Sequence, residues 1–429
     1  MDEFRYKECR LYCEQIPVAD IAAAVGTPTY VYSAGTLLGH YQRMAQAFAP
    51  LAPTICFSVK SCQNVHILSL LAERGCGFDV VSGGEIFRAT RAGADPSRIV
   101  FAGVGKSDRE LCEAIDAGIG LFNVESEAEL ANLACLAAGR KVRVSAALRI
   151  NPDIDPKTHA YTATGKKETK FGVDLATARE LFRTWNGHES VHLRGAHLHI
   201  GSPVYTVEPY VEAVNKVLAL IDALAGEGVV VDAFDIGGGY GADYGVTESP
   251  SAAEYAAAIV PLLAGRNLKV YLEPGRSLIA NAGILLARVL YTKQTPSRRF
   301  VIVDAGMNDL IRPSLYSAFH FIWPAEVRGP FVPPARAEKL DLPGLLEVDV
   351  VGPVCESGDF LARGRMLPPV DRGDLLAVFT AGAYGMVMSS QYNSRPRAAE
   401  VLVQADRWRV IRRRETYDDL VRAEIEVEY

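Results

Sequence analysis

Residues 55–64, ICFSVKSCQN, set the pattern of the chain: an apolar run that ends at a single lysine. A hydrophobic strand that stops abruptly at a charge typically ends at the rim of a sheet. Similar strand-like runs recur downstream, with amphipathic helical stretches between them. They are GFDVVS (77–82), RIVFAG (98–103), GLFNVE (120–125), VRVSAALRI (142–150), LRGAHLHI (193–200), VDAFDIGG (231–238) and KVYLEP (269–274).

The alternation of strands and helices indicates the fold class. Helical stretches such as GEIFRATRAG and DRELCEAIDAG end at glycine, a common helix stop. Eight strand–helix repeats predict a TIM-type (β/α)8 barrel over residues 27–282, and a doubly wound open sheet is the alternative. The number of strands favours the barrel.

The sequence after residue 283 no longer alternates between strand-like and helical stretches. Stretches such as DLLAVFTAGAYG alternate like strands and are separated by turns rich in Pro and Gly. They predict a mainly β domain, resembling a sandwich or barrel, over residues 283–429 together with the N-terminal segment 1–26. The Pro-rich stretch 323–344 is interpreted as a surface excursion. A chain of 429 residues is too long for one compact core, which agrees with two domains.

Composition excludes several classes of protein. The formal net charge of −6 argues against nucleic-acid binding and offers no basic patch to an anionic membrane. The N-terminus, MDEFRYKECR, lacks the apolar core of a signal peptide, and no apolar run approaches the length of a membrane span. We therefore expect a cytoplasmic protein. The eight cysteines form no CxxC pair, so free thiols are expected.

Lys60 is the first residue that suggests chemistry. A charged lysine at an apolar rim is poorly solvated, which lowers its pKa and makes the free amine available for Schiff-base formation. For a lone lysine, a side chain that merely snorkels at a strand end is the commoner interpretation. Other strand ends change that balance, because barrel enzymes collect their catalytic groups there. Unusual residues at these ends include Asp79, Ser82, Arg149, Asn151, His197 and His199.

Two glycine-containing turns follow the last two barrel strands. GGGYG (237–241) would let backbone N–H groups approach an anion closely, although a simple tight turn is an equal alternative. In EPGRS (273–277), Glu273 could hold a proton on a pyridine-type nitrogen, and Arg276 could bind phosphate or carboxylate. Alternatively, these two side chains pair with each other or with neighbours.

The stretch HLHIGS (197–202) puts two histidines on one face of a strand. No carboxylate or third histidine follows at a suitable spacing, so we predict no metal site. A histidine ring stacked on a flat cofactor fits better, and a buried structural histidine remains possible.

Three further motifs lie in the predicted β domain. DAGMNDLIRPSLY (304–316) offers Arg312 and Tyr316, GPVCESGDF (352–360) offers Cys355 and Glu356, and AGAYG (381–385) offers Tyr384. Taken singly, each of these residues is more often structural, and an isolated cysteine usually packs in a core.

Together these stretches resemble the fold-type III pyridoxal-phosphate-dependent decarboxylases, the alanine-racemase-like barrel enzymes. The similarity covers nearly the whole chain, and the motifs come in the family's order. DAGMNDLIRPSLY and GPVCESGD are more specific than HIGS or GGGY. Within the family the chain looks most like the branch that decarboxylates meso-diaminopimelate to L-lysine, the last step of bacterial lysine synthesis.

The resemblance implies roles for the cofactor-binding residues. Lys60 would hold pyridoxal 5'-phosphate as a Schiff base, His199 would stack on the pyridine ring, and Glu273 would pair with the ring nitrogen. The remaining implied cofactor contacts are Asp79, Ser202, Gly237, Gly238, Gly239, Pro274, Gly275, Arg276 and Tyr384.

The resemblance also implies a substrate site and a dimer. The implied substrate-binding residues are Arg276, Arg312, Tyr316, Glu356 and Tyr384. Cys355 would be the proton donor, directly or through a water. In this family the residues equivalent to Cys355 and Glu356 typically reach the site of the partner subunit, so a homodimer is expected.

The sequence departs from the family pattern near the phosphate. HLHIGSP has Leu198 and Pro203 where the family often reads HCHIGSQ, and Ser61–Cys62 follows the lysine. Pro203 removes a side-chain amide and a backbone donor at this point. Whether the segment 161–170 closes over the site as a lid is left open.

Two other functions compete with this interpretation. A sister decarboxylase would act on ornithine, arginine, carboxynorspermidine or a carrier-bound glutamyl group. Arg312 and CESGD argue against simple diamines, because a distal ammonium alone would not need an arginine. A catalytically silent relative with a binding or regulatory role is disfavoured by the presence of Lys60, Glu273 and Cys355 together.

Overall fold

The computed structural model describes residues 2–154 and 170–425, so most of the segment 161–170 lies outside the described residues. The chain forms two compact units, which we call the β unit and the barrel unit. The β unit comprises residues 1–40, 242–248 and 278–429, and the barrel unit comprises residues 41–241 and 249–277.

The N-terminal segment builds the first part of the β unit. Three short strands form an antiparallel sheet, and a helix then leads to a fully buried strand. The elements are β1 (Phe4–Lys7), β2 (Arg10–Cys13), β3 (Ile16–Pro17), α1 (Val18–Val25), β4 (Thr29–Ser33) and α2 (Ala34–Ala47). Strand β4 falls within the range predicted for the barrel, but it pairs with strands of the β unit instead.

The barrel unit contains eight parallel strands in a closed ring. They are β5 (Thr54–Ser58), β6 (Gly77–Val80), β7 (Ile99–Phe101), β8 (Leu121–Val124), β9 (Val144–Arg149), β10 (Val191–His197), β11 (Ala233–Asp235) and β12 (Lys269–Leu272). Each corresponds to one of the predicted apolar runs. Strand β12 pairs with β5 through Tyr271–Thr54 and Leu272–Ile55, which closes the ring. The predicted barrel is confirmed, and the open-sheet alternative is wrong.

Helices connect the barrel strands, as expected for parallel neighbours. They are α3 (Val65–Ala72), α4 (Gly83–Arg91), α5 (Asp108–Asp116), α6 (Glu127–Gly139), α7 (Leu175–Thr184), α8 (Glu208–Gly226) and α9 (Ala252–Leu263). A short helix, α10 (Arg276–Ile279), follows the last barrel strand. Several begin at a side chain that accepts a backbone N–H of the first turn, among them Ser82, Ser107 and Ser126. These caps fix where each strand end gives way to its helix.

Small and medium apolar side chains fill the barrel interior. Members of this core come from six of the eight strands and are almost fully buried. They are Cys56, Val100, Leu121, Ala147, Ala233 and Tyr271. Burial of such side chains stabilises the ring and leaves polar groups concentrated toward the carboxyl ends of the strands.

The remaining strands complete a nine-stranded sheet in the β unit. They are β13 (Gly283–Gln294), β14 (Arg299–Val303), β15 (Ile322–Pro324), β16 (Leu346–Val351), β17 (Phe360–Leu367), β18 (Leu375–Val378), β19 (Ala399–Gln404) and β20 (Arg407–Arg412). The main path runs β17-β16-β14-β13-β4-β19-β20, and β18 joins β13 to β15. Two helices accompany the sheet, α11 (Arg312–Tyr316) and α12 (Tyr417–Ile425). The predicted mainly β domain is confirmed.

Two global expectations can be compared with the described residues. All eight cysteines are free thiols, although Cys135 and Cys355 are exposed. Within residues 2–154 and 170–425, no helix combines the length and apolar character needed to cross a lipid bilayer.

We predict that Gly77 is required for the packing of strand β6. A Cβ atom at this position would lie 2.2 Å from the carbonyl oxygen of Arg98 and 3.0 Å from Cys56 Sγ. Gly77→Ala should therefore lower the free energy of unfolding by about 1–3 kcal/mol, measured by urea denaturation. Gly139→Ala is the control, because a Cβ there meets nothing within 4 Å. Equal stability of the two variants would contradict the prediction.

Candidate active site

Lys60 lies on a single 3-10 turn, Val59–Ser61, directly after β5. Its Nζ is 2.5 Å from Oδ2 of Asp79, a residue of β6 that is fully buried. The Lys60 side chain remains 33% exposed. The ion pair with Asp79 favours the ammonium form of Lys60, whereas burial favours the neutral amine. The ion pair therefore opposes the effect of the apolar surroundings, which was the only effect predicted from the sequence.

The turn that carries Lys60 packs against the turn that follows β12. The Ser58 N–H donates to the carbonyl oxygen of Pro274 at 3.1 Å, and Ser58 Oγ lies 3.0 Å from the carbonyl oxygen of Glu273. A Cβ on Gly275 would lie 3.0 Å from Ser58 Cβ, so glycine allows this close approach. Closure of the barrel thus brings Lys60 and Glu273 to the same rim.

A buried polar cluster lies at the ends of β8, β10, β11 and β12. Asn123 Nδ2 donates to Asp235 Oδ2 at 2.9 Å and to Glu273 Oε1 at 3.2 Å. His197 Nε2 is 3.5 Å from Glu273 Oε2. All four side chains are at most 2% exposed. Burial raises the pKa of Asp235 and of Glu273, and it lowers the pKa of His197 to about 4.

The cluster also bears on the predicted absence of a metal. Potential ligand atoms of His197, Asp235 and Glu273 lie within 4.8 Å of one another. The sequence near HLHIGS contains no carboxylate at a suitable spacing, whereas the fold brings two carboxylates from other strands. Both carboxylates already accept hydrogen bonds from Asn123, which gives them a role that needs no cation.

His199 follows β10 and contacts the glycine loop. The Gly238 N–H donates to His199 Nδ1 at 3.3 Å. Burial, Arg149 and Lys60 together lower the pKa of His199, so its ring is neutral near pH 7 and can accept this bond. The ring is only half-buried, and Ser202, three residues further on, is half-buried as well.

The loop Gly237–Gly239 runs against three backbone segments. A Cβ at Gly237, Gly238 or Gly239 would lie within about 2.1 Å of a carbonyl oxygen, those of Leu198, Glu273 and Gly201 respectively. Gly237 and Gly239 also have positive φ angles of 70° and 96°. The loop conformation is therefore available only to glycine.

Three tyrosines support the glycine loop from behind. Tyr210 stacks on Tyr240 with ring centroids 5.4 Å apart, and Tyr255 meets both rings edge-on. The Tyr210 hydroxyl donates to the carbonyl oxygen of Gly238 at 2.8 Å. The loop is thus held by an aromatic cluster that could not be predicted from the motif GGGY.

A second group of predicted residues lies in the β unit, around Arg312. The buried guanidinium stacks 4.7 Å from the ring of Tyr244, and Nη1 is 3.0 Å from His320 Nε2. His320 Nδ1 is 2.9 Å from the carbonyl oxygen of Phe379. A carbonyl only accepts, so Nδ1 carries the proton and Nε2 accepts from Arg312. Arg312 is therefore held in a fixed position.

Asp359 links the two specific motifs of the β unit. Its carboxylate accepts the Met307 N–H and the Val354 N–H, each at 2.6 Å. Ser314 Oγ donates to the carbonyl oxygen of Gly358 at 2.5 Å. The loop 352–359 is thereby fastened to the segment that carries Arg312 and Tyr316.

The other predicted residues of the β unit sit on or near this loop. Cys355 and Glu356 are exposed; the Cys355 N–H donates to Asn393 Oδ1 at 2.8 Å, and Tyr392 donates to Glu356 at 3.0 Å. Tyr316 and Tyr384 are half-buried, and Tyr384 has a left-handed φ of 55°. Arg276 is buried at the start of α10 in the barrel unit.

Several residues of the site were not predicted from the sequence. Asn123 and Asp235 stand inside apolar strand runs, where a buried polar residue was the available signal. Asp359 lies in a quoted motif, but only its contacts reveal its structural role. Nothing near Tyr244 in the sequence indicates that it stacks on Arg312.

Comparison with known proteins places these features in context. Residues 34–280 match the family described as the pyridoxal binding domain of pyridoxal-dependent decarboxylases. The chain is 44% identical over 425 residues to a diaminopimelate decarboxylase of Aquifex aeolicus, covering 98% of this chain and 97% of the relative.

Solved structures give the same result. A diaminopimelate decarboxylase from Helicobacter pylori complexed with L-lysine is 41% identical, with a TM-score of 0.88 over 95% of this chain and 99% of its own. One from M. jannaschii, in co-complex with L-lysine, is 34% identical, with a TM-score of 0.91 over 100% of this chain and 98% of its own.

We predict that Asp359→Asn destabilises the β unit. An amide nitrogen would face one of the two N–H donors and leave it unsatisfied, at a cost of about 1–3 kcal/mol in the free energy of unfolding. Urea unfolding followed by circular dichroism measures this. The control is Asp406→Asn, whose side chain is 72% exposed and whose change should stay within about 0.5 kcal/mol. A neutral Asp359→Asn would show that the carboxylate does not hold the loops together.

Proposed function

The chain belongs to the pyridoxal-dependent decarboxylases and, among them, to the diaminopimelate decarboxylases; on that premise, we propose that it converts meso-2,6-diaminopimelate to L-lysine and CO2. The family is one of pyridoxal-phosphate-dependent lyases, so the cofactor and reaction class expected from the sequence are confirmed. The observation that carries the choice of substrate is full-length similarity to relatives with this name, two of which have structures with L-lysine bound.

The barrel unit fits pyridoxal phosphate. Glu273 is a buried carboxylate whose pKa is raised because burial disfavours its charge, and a cationic ring nitrogen would relieve that cost. The loop Gly237–Gly239 has no room for side chains beside the neighbouring backbone, and backbone N–H groups in such a loop can form an anion-binding site. We infer that Lys60 would hold the cofactor through its carbonyl carbon and that His199 would stack on the ring. The residues that would hold the phosphate are Ser202, Gly237, Gly238, Gly239 and Arg276, with Tyr384.

The residues of the chain divide the work of decarboxylation. When bound, pyridoxal phosphate supplies an electron sink for the pair released as the bond to the carboxylate breaks. Glu273 would keep the ring nitrogen protonated, and Asp79 holds Lys60 at the rim through their ion pair. His199, neutral and bonded to Gly238, would contact the cofactor ring. Cys355, or a water that it positions, would return a proton to the substrate carbon.

Recognition of the far end of the substrate falls to the β unit in this proposal. A guanidinium pairs well with a carboxylate, and a carboxylate pairs with an ammonium. Tyr244 and His320 hold the guanidinium of Arg312, so its positive charge has a fixed position. With Glu356, and assisted by Arg276, Tyr316 and Tyr384, it would read the distal amino-acid group of diaminopimelate.

The assembly and location expected from the sequence remain part of the proposal. We propose a cytoplasmic homodimer in which Cys355 and Glu356 serve the site of the partner subunit. Their exposure on the surface of the loop 352–359 supports this, because a buried cysteine could not reach a second chain. A sister decarboxylase with another amino-acid substrate is the remaining alternative.

We predict that the enzyme releases CO2 from meso-diaminopimelate in strong preference to L-ornithine, L-arginine and L-glutamate. The reason is that an arginine and a glutamate together match a distal zwitterion, which the other three lack. The measurement is CO2 release with pyridoxal phosphate added. Turnover of another amino acid alone would agree with the proposed cofactor site but refute the proposed recognition of a distal zwitterion. Bound cofactor without turnover of any would point to a carrier-linked substrate.

We further predict complementation between Lys60→Ala and Cys355→Ala. If the site is shared, each variant alone is strongly impaired, and random reassociation gives about a quarter of wild-type activity, since half the dimers contain one intact site. Mixing Lys60→Ala with Asp79→Ala is the control and should restore nothing, because both residues come from the same subunit's barrel. Absence of recovery with Cys355→Ala would place Cys355 in its own subunit's site. Full activity of Cys355→Ala alone would remove the proton-donor role only.

A further inference from the structure

The carboxyl groups of Asp235 and Glu273 share a site that water does not reach. Asp235 is 0% exposed and Glu273 is 2% exposed. Carboxyl oxygens of the two lie within 4.8 Å of each other, and both groups accept from the same amide, Asn123 Nδ2. Two carboxyl groups this close in a site without water cannot both be ionised without a large cost in free energy, so one of them carries a proton.

The two carboxyl groups differ in their contacts and in the turns that they adjoin. Asp235 Oδ1 accepts the Gly237 N–H at 2.9 Å, and Oδ2 accepts from Asn123. Glu273 accepts from Asn123 through Oε1 and has His197 Nε2 3.5 Å from Oε2. Asp235 is thus enclosed by strand ends and the glycine loop, whereas Glu273 precedes the turn that packs against Lys60.

The cationic side chains around the pair are already matched by other acids. Lys60 is matched by Asp79 at 2.5 Å, and Arg149 is matched by Glu125 at 2.7 Å. His197, with its pKa lowered to about 4, is neutral, and burial keeps the Cys56 thiol protonated. A doubly ionised pair would therefore add two unmatched charges inside the barrel, whereas a singly protonated pair adds one.

Asn123 is fixed independently of the carboxyl pair. Lys106, whose side chain is fully buried, donates to the carbonyl oxygen of Asn123 at 2.7 Å, to that of Gly103 at 2.7 Å, and to Glu129 Oε1 at 2.5 Å. This clamp holds the end of β8. Both N–H groups of the Asn123 amide can then point at the two carboxyls without rearrangement.

We propose that Asp235 is a positioning residue that keeps a proton and donates a hydrogen bond to Glu273, so that the pair holds one negative charge, on Glu273, fixed in place by Asn123. The inference rests on the proposed function, in which Glu273 would face the ring nitrogen of the cofactor. It extends it by giving Asp235 and Asn123 a role: they set the charge and direction of Glu273 before the cofactor arrives.

Infrared spectroscopy of the holoenzyme tests the location of the proton. The carbonyl stretch of a protonated carboxylic acid is distinct from that of a carboxylate and shifts when the carboxyl carbon is 13C. At pH 8.5 the buried acids Glu85 and Asp309, whose pKa values are about 7, are mostly ionised. We expect the remaining acid band to shift on labelling of aspartate and to stay in place on labelling of glutamate. A shift with glutamate, or no acid band, would overturn the proposal.

Cofactor affinity of the apoenzyme provides a second test, read from the absorption of pyridoxal phosphate bound to Lys60. Glu273→Gln removes the charge and should weaken binding on the order of a hundredfold. Asp235→Asn keeps an N–H directed at Glu273 and should cost about tenfold or less, with Asp235→Ala between the two. The reverse order for Asp235→Asn and Glu273→Gln would place the charge on Asp235 and refute the assignment.

Controls separate this role from folding and from turnover. Asn123→Ala should weaken cofactor binding about tenfold, whereas Asn132→Ala, which removes an exposed amide-to-carboxylate bond to Asp108, should not change it. Circular dichroism of each apoenzyme checks the fold. A stoichiometric metal ion in the purified protein would contradict the proton, since His197, Asp235 and Glu273 could ligate it. None of these measurements uses substrate, so a failure to decarboxylate diaminopimelate leaves them interpretable.

Discussion

The pairing of β12 with β5 is the constraint on which the barrel site depends. Only two residue pairs, Tyr271–Thr54 and Leu272–Ile55, close the ring. The closure sets the turn after β5 against the turn after β12, so that an amine and a carboxylate from positions more than two hundred residues apart in sequence share one rim. Every other group in the barrel site is placed by the same parallel geometry, since the carboxyl ends of all eight strands face one way.

Buried charge in the barrel is organised in opposite pairs. Lys60 has Asp79, Arg149 has Glu125, and Lys106 has Glu129. Isolated buried charges are costly, and removing one member of such a pair leaves the other uncompensated. The Asp235–Glu273 pair differs because both members are acids. It is the point at which the barrel interior is left with a charge that a cationic ligand can match.

The sequence predicted the barrel well because its strands are marked locally. Each apolar run ends at a charge, a glycine or a polar residue, and each helix between them has a stop signal. The pairing of β4 (Thr29–Ser33), which lies within the range 27–282, could not be predicted from the local pattern, because its partners β13 and β19 lie far away in sequence. Asn123, Asp235 and Tyr244 acquire their meaning only through tertiary contacts, so no local pattern could identify them. The motif residues were identified through the family resemblance, but the resemblance did not predict their local contacts.

The three tyrosines behind the glycine loop have a consequence for the rate at which the loop would bind an anion. Stacked rings and a hydroxyl bonded to the Gly238 carbonyl hold the loop without any ligand. A loop that is already ordered loses little conformational entropy when an anion arrives, so more of the contact energy appears as affinity. Glycine, the most flexible residue, is here immobilised by its neighbours. Under the proposed function, a phosphate would meet an ordered loop, and its on-rate would be set by encounter rather than by rearrangement of the loop.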